Sequence, residues 1–118
     1  MVQKVGESMA DTETDYNTEA QNVAMQIIAY SGDGRSLAFR ALDAAEKHDF
    51  EQAHELLKQS NAEISKAHDV QTDLLVAEAN GKQTPFSILL IHSQDHFMTS
   101  MLANELITRM VKMYEGDK

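Results

Sequence analysis

In the last third of the chain, the run His92-Ser93-Gln94-Asp95-His96 is followed one turn later by Thr99. On a helix, the spacings i, i+3, i+4 and i+7 place His92, Asp95, His96 and Thr99 on one face. Such a stripe is costly unless satisfied, because an unpaired polar group taken out of water costs on the order of 1–3 kcal/mol and a carboxylate costs more. Three chemistries fit it. Two histidines one turn apart with Asp95 could ligate a transition metal, although His-x-x-Asp-His lacks the glutamate base of the metalloprotease helix and a closed site needs a further ligand. Asp95 could instead meet its symmetry copies about an oligomer axis, where three carboxylates need a divalent cation or shared protons. Imidazole can also take a phosphoryl group on a ring nitrogen, given an accessible lone pair and donors such as Gln94, His96 or a helix-borne amide.

The elements that must position this run are helices. Thr84 and Pro85 read as the N-cap and first position of one that runs to about Tyr114. Its residues Ile88, Leu89, Ile91, Phe97, Met101 and Leu106, among others, cover most of its circumference, so it must be buried on more than one side. A bundle of three helices would leave part of that belt in water, and self-association is the economical way to cover it. Ahead of it, Asp49 caps a helix with the stripe Phe50, Ala53, Leu57, Ser60, Ile64, Ala67, Gln71 and Leu74, which Ser60 and Gln71 interrupt, and Asn80–Gly81 ends it. The first helix follows a capping box at Thr18 and Gln21 and carries Val23, Ile27, Tyr30, Gly34, Leu37, Ala41 and Ala44. Gly32 and Gly34 weaken it by roughly 1 kcal/mol each unless a close helix contact uses them, which is the favoured reading. Residues 1–16 are polar without an apolar period and are expected to form a disordered tail ahead of one domain spanning 17–116. The short connections predict an all-α, antiparallel up-down-up three-helix bundle of the spectrin-repeat type.

Composition agrees. One proline and five glycines in 118 residues leave long helices uninterrupted, and the absence of cysteine removes disulfides, thiolate metal sites and thiol nucleophiles. No apolar stretch is long enough to span a membrane, and Met1–Ala10 lacks the apolar centre of a signal peptide, so a soluble cytoplasmic protein is expected. A formal charge of −9 repels phosphate backbones and argues against nucleic acid as a partner.

Over about residues 18–115 the sequence resembles the lactose/cellobiose/diacetylchitobiose class of phosphotransferase-system (PTS) IIA proteins. The resemblance lies in Ser31-Gly32-Asp33-Gly34-Arg35-Ser36, Asp49-Phe50, Ala67-His68-Asp69-Val70-Gln71-Thr72 and, most specifically, Ile91-His92-Ser93-Gln94-Asp95-His96-Phe97-Met98-Thr99. Ser93 and Phe97 depart mildly from the family's usual residues and leave the reactive positions intact. The resemblance implies a homotrimer in which His92 accepts phosphate from the phosphocarrier HPr and passes it to a cysteine of the cognate IIB protein. The membrane would be involved only indirectly, through IIC, where the sugar is phosphorylated. It further implies that Asp95 and its two counterparts bind one divalent cation, magnesium, on the threefold axis. Gln94, His96, His68 and Gln71 would be neighbours of the phosphate site, His68 and Gln71 having an equally plausible core role. His48 and His54 match no motif and are expected at the surface. The tail length and the third helix favour the diacetylchitobiose branch over lactose or cellobiose. Two rivals remain: a histidine-phosphotransfer protein of two-component signalling, whose histidine is usually followed by lysine and glycine, and a non-catalytic helical metal-binding adaptor.

Overall fold

The computed structural model describes residues 2–116, with side chains from Thr18 onward. Residues 2–16, expected as a disordered tail, are helical backbone within the first helix. The described residues form three helices and no strand: α1 (Val2–Glu46), α2 (Phe50–Ala79) and α3 (Ile88–Gly116). The all-α bundle expected from the sequence is the fold observed.

The turns show which local signals decide the helix ends. Between α1 and α2, His48 takes a left-handed conformation at φ 60°, and the Asp49 amide donates to the Ala44 carbonyl at 2.9 Å, which closes off α1. Asp49 is the expected N-cap, its carboxylate accepting from the Gln52 amide at 3.3 Å. His48 and His54 are exposed as expected, the latter paired with Glu115 at 2.5 Å. Asn80 caps the end of α2 and Gly81 follows at φ 87°, a conformation that favours glycine.

Two expected starts are corrected. The chain is already helical at Thr18, so the capping box there is not a helix start. A capping preference is worth only about 1 kcal/mol and does not break a helix that has no proline to stop it. Nor do Thr84 and Pro85 open α3, since both lie in the connection. Ser87 is the cap: its hydroxyl accepts from the Leu90 amide at 3.0 Å and its carbonyl from the Ile91 amide at 3.1 Å.

The core divides in two. Near one end of the bundle Ile27, Ile64, Ala67 and Phe97 pack together; near the other, Ala38, Ala41, Ala45, Ala53, Leu56, Leu57, Ile107 and Val111 do. Between them lies a polar link. Ser60 Oγ donates to the Gly34 carbonyl at 2.6 Å and accepts from Asn104 Nδ2 at 2.8 Å, so one buried hydroxyl ties all three helices. Of the stripe expected on α1, Ile27, Gly34 and Ala41 are buried and its other members flank the buried line. Val23, Tyr30, Leu37 and Ala44 are half-buried, whereas the fully buried line includes Ala24, Ser31, Ala38 and Ala45. Small side chains there let α2 and α3 approach α1 closely.

Gly34 marks the closest approach. A Cβ on it would lie 2.7 Å from Ile64 Cγ1 and Cδ1 and 3.3 Å from the Ile64 backbone nitrogen, whereas one on Gly32 would lie 3.5 Å from His96 Cε1, an ordinary contact. Gly34→Ala should therefore lose about 1–3 kcal/mol through overpacking, whereas Gly32→Ala should be neutral or gain up to about 1 kcal/mol of helix propensity. Urea denaturation of the two variants checks this; equal stability would contradict the close approach at Gly34.

Candidate functional site

The site run occupies the second and third turns of α3, so Ser87, which caps that helix, sets where His92 stands. From there helix periodicity assigns the side chains. Ser93, Phe97, Ser100, Asn104, Ile107 and Val111 are buried against α1 and α2. Ile88, Ile91, Met98, Leu102, Leu106 and Met113 are exposed on the opposite side, the two stripes lying roughly 160° apart at about 100° per residue. Asp95 falls within the exposed stripe, and its carboxylate forms no hydrogen bond or salt bridge among the described residues. Thr99, one turn on, donates from Oγ1 to the Asp95 carbonyl at 2.8 Å.

The two histidines are not equivalent. His92 is exposed and His96 half-buried, with ring centroids 5.7 Å apart and planes at 78°. His96 wedges between α3 and α1 beside Gly32. Burial pushes its imidazole below the ordinary histidine value, helped by the nearby charges of Arg35 and His92 and opposed by Asp95. Its Nδ1 is buried without a partner.

Gln94 points elsewhere, since two residues along a helix is more than half a turn. It meets α2, where Gln71 Nε2 donates to Gln94 Oε1 at 2.6 Å, and Gln94 Nε2 lies 3.4 Å from Ser93 Oγ. His68 lies against Phe97, with ring centroids 6.0 Å apart and 52° between the planes. The structure therefore brings His92 beside His96, and Gln71 to Gln94, while within one chain His68 meets the core ring and not His92. Among the described residues no three His, Cys, Asp or Glu side chains converge as a metal site would require.

Gly32 and Arg35 on α1 border His96, and spacing arguments miss them because they belong to another helix. Their signal was the Ser31-Gly32-Asp33-Gly34-Arg35-Ser36 segment, whose glycines had been assigned only to packing. A groove lined by Val23, Val70, Leu74, Ala77 and Pro85, among others, includes none of the expected site residues. No helix among the described residues is long and apolar enough to cross a membrane.

Helical architecture places the chain among small all-α bundles, with an exposed histidine near the start of α3, and comparison with known proteins specifies the class. The sequence profile described as "PTS system, Lactose/Cellobiose specific IIA subunit" matches residues 22–115. The lactose-specific EIIA component of Staphylococcus epidermidis is 40% identical over 97 residues, covering 82% of this chain and 93% of that protein. The N,N'-diacetylchitobiose-specific EIIA component of Escherichia coli K12 is 41% identical over 109 residues, covering 92% and 93%. Among solved structures, the cellobiose-specific enzyme IIA from Bacillus anthracis superposes with a TM-score of 0.80 at 36% identity, covering 82% of this chain and 89% of that one. A IIA(chitobiose)–HPr complex from the Escherichia coli phosphotransferase system superposes at 0.71 with 41% identity, covering 82% and 94%. The chain belongs to the lactose/cellobiose-specific IIA family of the sugar phosphotransferase system.

Because Ser87 fixes the start of α3, Ser87→Ala should cost about 1 kcal/mol and fray the turn that carries His92, while Thr84→Ala should change little. Denaturation midpoints together with amide exchange at Leu90 and Ile91 test the assignment, and a larger loss from Thr84→Ala would return the cap to that residue.

Proposed function

We propose that this protein is a cytoplasmic phosphoryl carrier in the uptake of a disaccharide, in which His92 takes the phosphoryl group from phospho-HPr and delivers it to the cysteine of a cognate IIB. The observation that carries the reading is the exposed His92 imidazole, just beyond the first turn of α3 and packed edge-to-face with His96. A ring nitrogen of His92 attacks phosphorus as the bond to the HPr histidine breaks. In the second transfer the IIB thiolate attacks, and the His92 nitrogen recovers its lone pair. The phosphoramidate stays energetic enough to pass on, which a serine ester would not, and no sugar pocket is needed. The positive end of the α3 dipole, strongest in the preceding turn, favours the anion. An acidic surface suits brief encounters with basic partners. The HPr complex of the similar chitobiose protein supports HPr as donor. The sugar we assign to diacetylchitobiose, cellobiose or lactose, with the first favoured.

The active unit in this reading is a homotrimer. It is supported by the exposed apolar stripe of α3, which a single chain leaves in water and which three copies would cover. Asp95 lies within that stripe without a partner, so assembly would bring three carboxylates together out of water. That donor set, oxygen-only and acidic, fits one hard divalent cation such as magnesium on the axis, with Asp95 of each chain holding it. The cation would neutralise the carboxylates and take no part in transfer.

With HPr, its kinase enzyme and phosphoenolpyruvate supplied, wild type should gain one acid-labile phosphate per chain, His92→Ala none and His96→Ala some, more slowly. Full labelling of His92→Ala would refute the acceptor assignment. Failure of wild type to label while HPr is charged would remove the carrier reading.

Asp95→Leu should leave a folded trimer without bound cation, because apolar replacement of clustered carboxylates removes repulsion and desolvation cost together. Sedimentation equilibrium with metal analysis measures both, and a stable monomeric variant would contradict the axial placement.

A further inference from the structure

Arg35 is the one member of the Ser31–Ser36 segment with a positive charge, and neither the packing nor the proposed transfer uses it. Its guanidinium is exposed and forms no hydrogen bond or salt bridge among the described residues. The reason is local. A helical arginine pairs with carboxylates three or four positions away, and at those positions Arg35 has Ser31, Gly32, Ala38 and Phe39. Its fork of donors is therefore free.

Helix register places that fork at the histidine pair. Gly32 packs on His96, while Ala38, Ala41 and Ala45 further along α1 pack with Ile107 and Val111 further along α3, so the two helices run parallel. Arg35 follows Gly32 by three residues on the same side of α1, and its charge acts on the His96 imidazole. A long helical side chain leans toward the N-terminus of its helix, which along this pair is the direction from His96 to His92. The two rings lie on nearly the same face of α3 with centroids 5.7 Å apart. The basic residues of α3 itself are too far to serve: Arg109 and Lys112 lie more than four turns, roughly 25 Å or more, beyond His92.

A phosphoryl group arriving on His92 enters acidic surroundings. The chain carries a formal charge of −9, and Asp95 stands one turn along the same helix. The helix dipole offsets part of that repulsion but fades within the first turn. A guanidinium does so more directly, because its planar fork matches phosphate oxygens in pairs. We infer that Arg35 is the cation of the phosphoryl site, reaching along the seam between α1 and α3 to hold the oxygens of the group carried by His92. The inference rests on the proposed acceptor role of His92. The guanidinium neither gives nor takes a proton. It stabilises the charged carrier, and so sets how much phosphate stays on this protein when it exchanges with HPr.

The measurement is the equilibrium of phosphoryl exchange between HPr and the full chain, read from the fraction of each protein that is labelled. Arg35→Gln should move it toward phospho-HPr by about three- to tenfold, the size expected of a charge-assisted hydrogen bond at a partly screened site. Arg35→Lys, which keeps the charge without the fork, should fall between that variant and wild type. Arg40→Gln removes an equal charge from an exposed position of α1 about 140° further round the helix, and should leave the equilibrium unchanged. A contact made only with the docking partner would alter forward and reverse rates together. An unmoved equilibrium in Arg35→Gln therefore overturns the assignment, whatever its rates do. An equal shift in Arg40→Gln overturns it too, since net charge would then suffice. Melting curves check that the variants keep the fold, and Arg35→Lys carries the comparison if Arg35→Gln does not. A wild type that never labels removes the acceptor role and this inference with it, whereas a wild type and Arg35→Gln that label equally remove the inference alone.

Discussion

The hydrogen bond from Ser60 Oγ to the Gly34 carbonyl is the constraint from which the rest of the bundle takes its register. A carbonyl in the middle of a helix already accepts from its own backbone, so Ser60 uses the remaining lone pair and must come close to reach it. It can do so because Gly34 has no Cβ to strike Ile64. Asn104 then donates to the same hydroxyl, which brings α3 into the arrangement. Sliding any of the three helices by one turn would leave these groups buried and unpaired, at about 1–3 kcal/mol each. The apolar clusters on either side contribute more burial but no comparable direction, since burial is indifferent to small slips.

With the register fixed, the chemistry follows from which helix each side chain meets. His96 comes to rest on α1 at Gly32 and becomes half-buried; His92, one turn earlier, stays in solvent. Two residues of the same type on nearly the same face thereby acquire different surroundings, one open to solvent and one packed against a neighbouring helix. Gln94 turns toward α2, where Gln71 orders its amide, so the polar run is divided between two neighbouring helices.

Much of this was legible in the sequence, and what was not has a common cause. The Asp49 cap and the Asn80–Gly81 stop are local signals that act within a turn, and both held. Ser87 was overlooked because Thr84–Pro85 offers the same local chemistry three residues earlier, and only the geometry of the connection selects between them. On α1 Ile27, Gly34 and Ala41 were found, but Ala24, Ser31, Ala38 and Ala45 were passed over for their larger or apolar neighbours, because at the closest contacts burial falls on small side chains, which hydrophobicity hardly marks. Ser60 and Gln71 looked like interruptions of an apolar stripe and proved to be its connections to other helices. The partners of such residues lie 26 and 23 positions away, beyond the reach of any spacing rule.

The outward face of α3 carries the argument a step beyond the single chain. On a helix buried by its own fold on one side and by assembly on the other, only the borders between those faces stay open to a passing partner. Ser93 lies on the inner face and is already buried. Asp95 lies in the outward stripe, where the proposed trimer would enclose it. His92, three residues before Asp95, falls at the border and remains exposed. In the proposed trimer three residues of one helix would thus divide into a packing role, an assembly role and an exchange role. A phosphoryl carrier needs its acceptor in the third position, because it must be reached by two proteins in turn while the helix that presents it stays fixed.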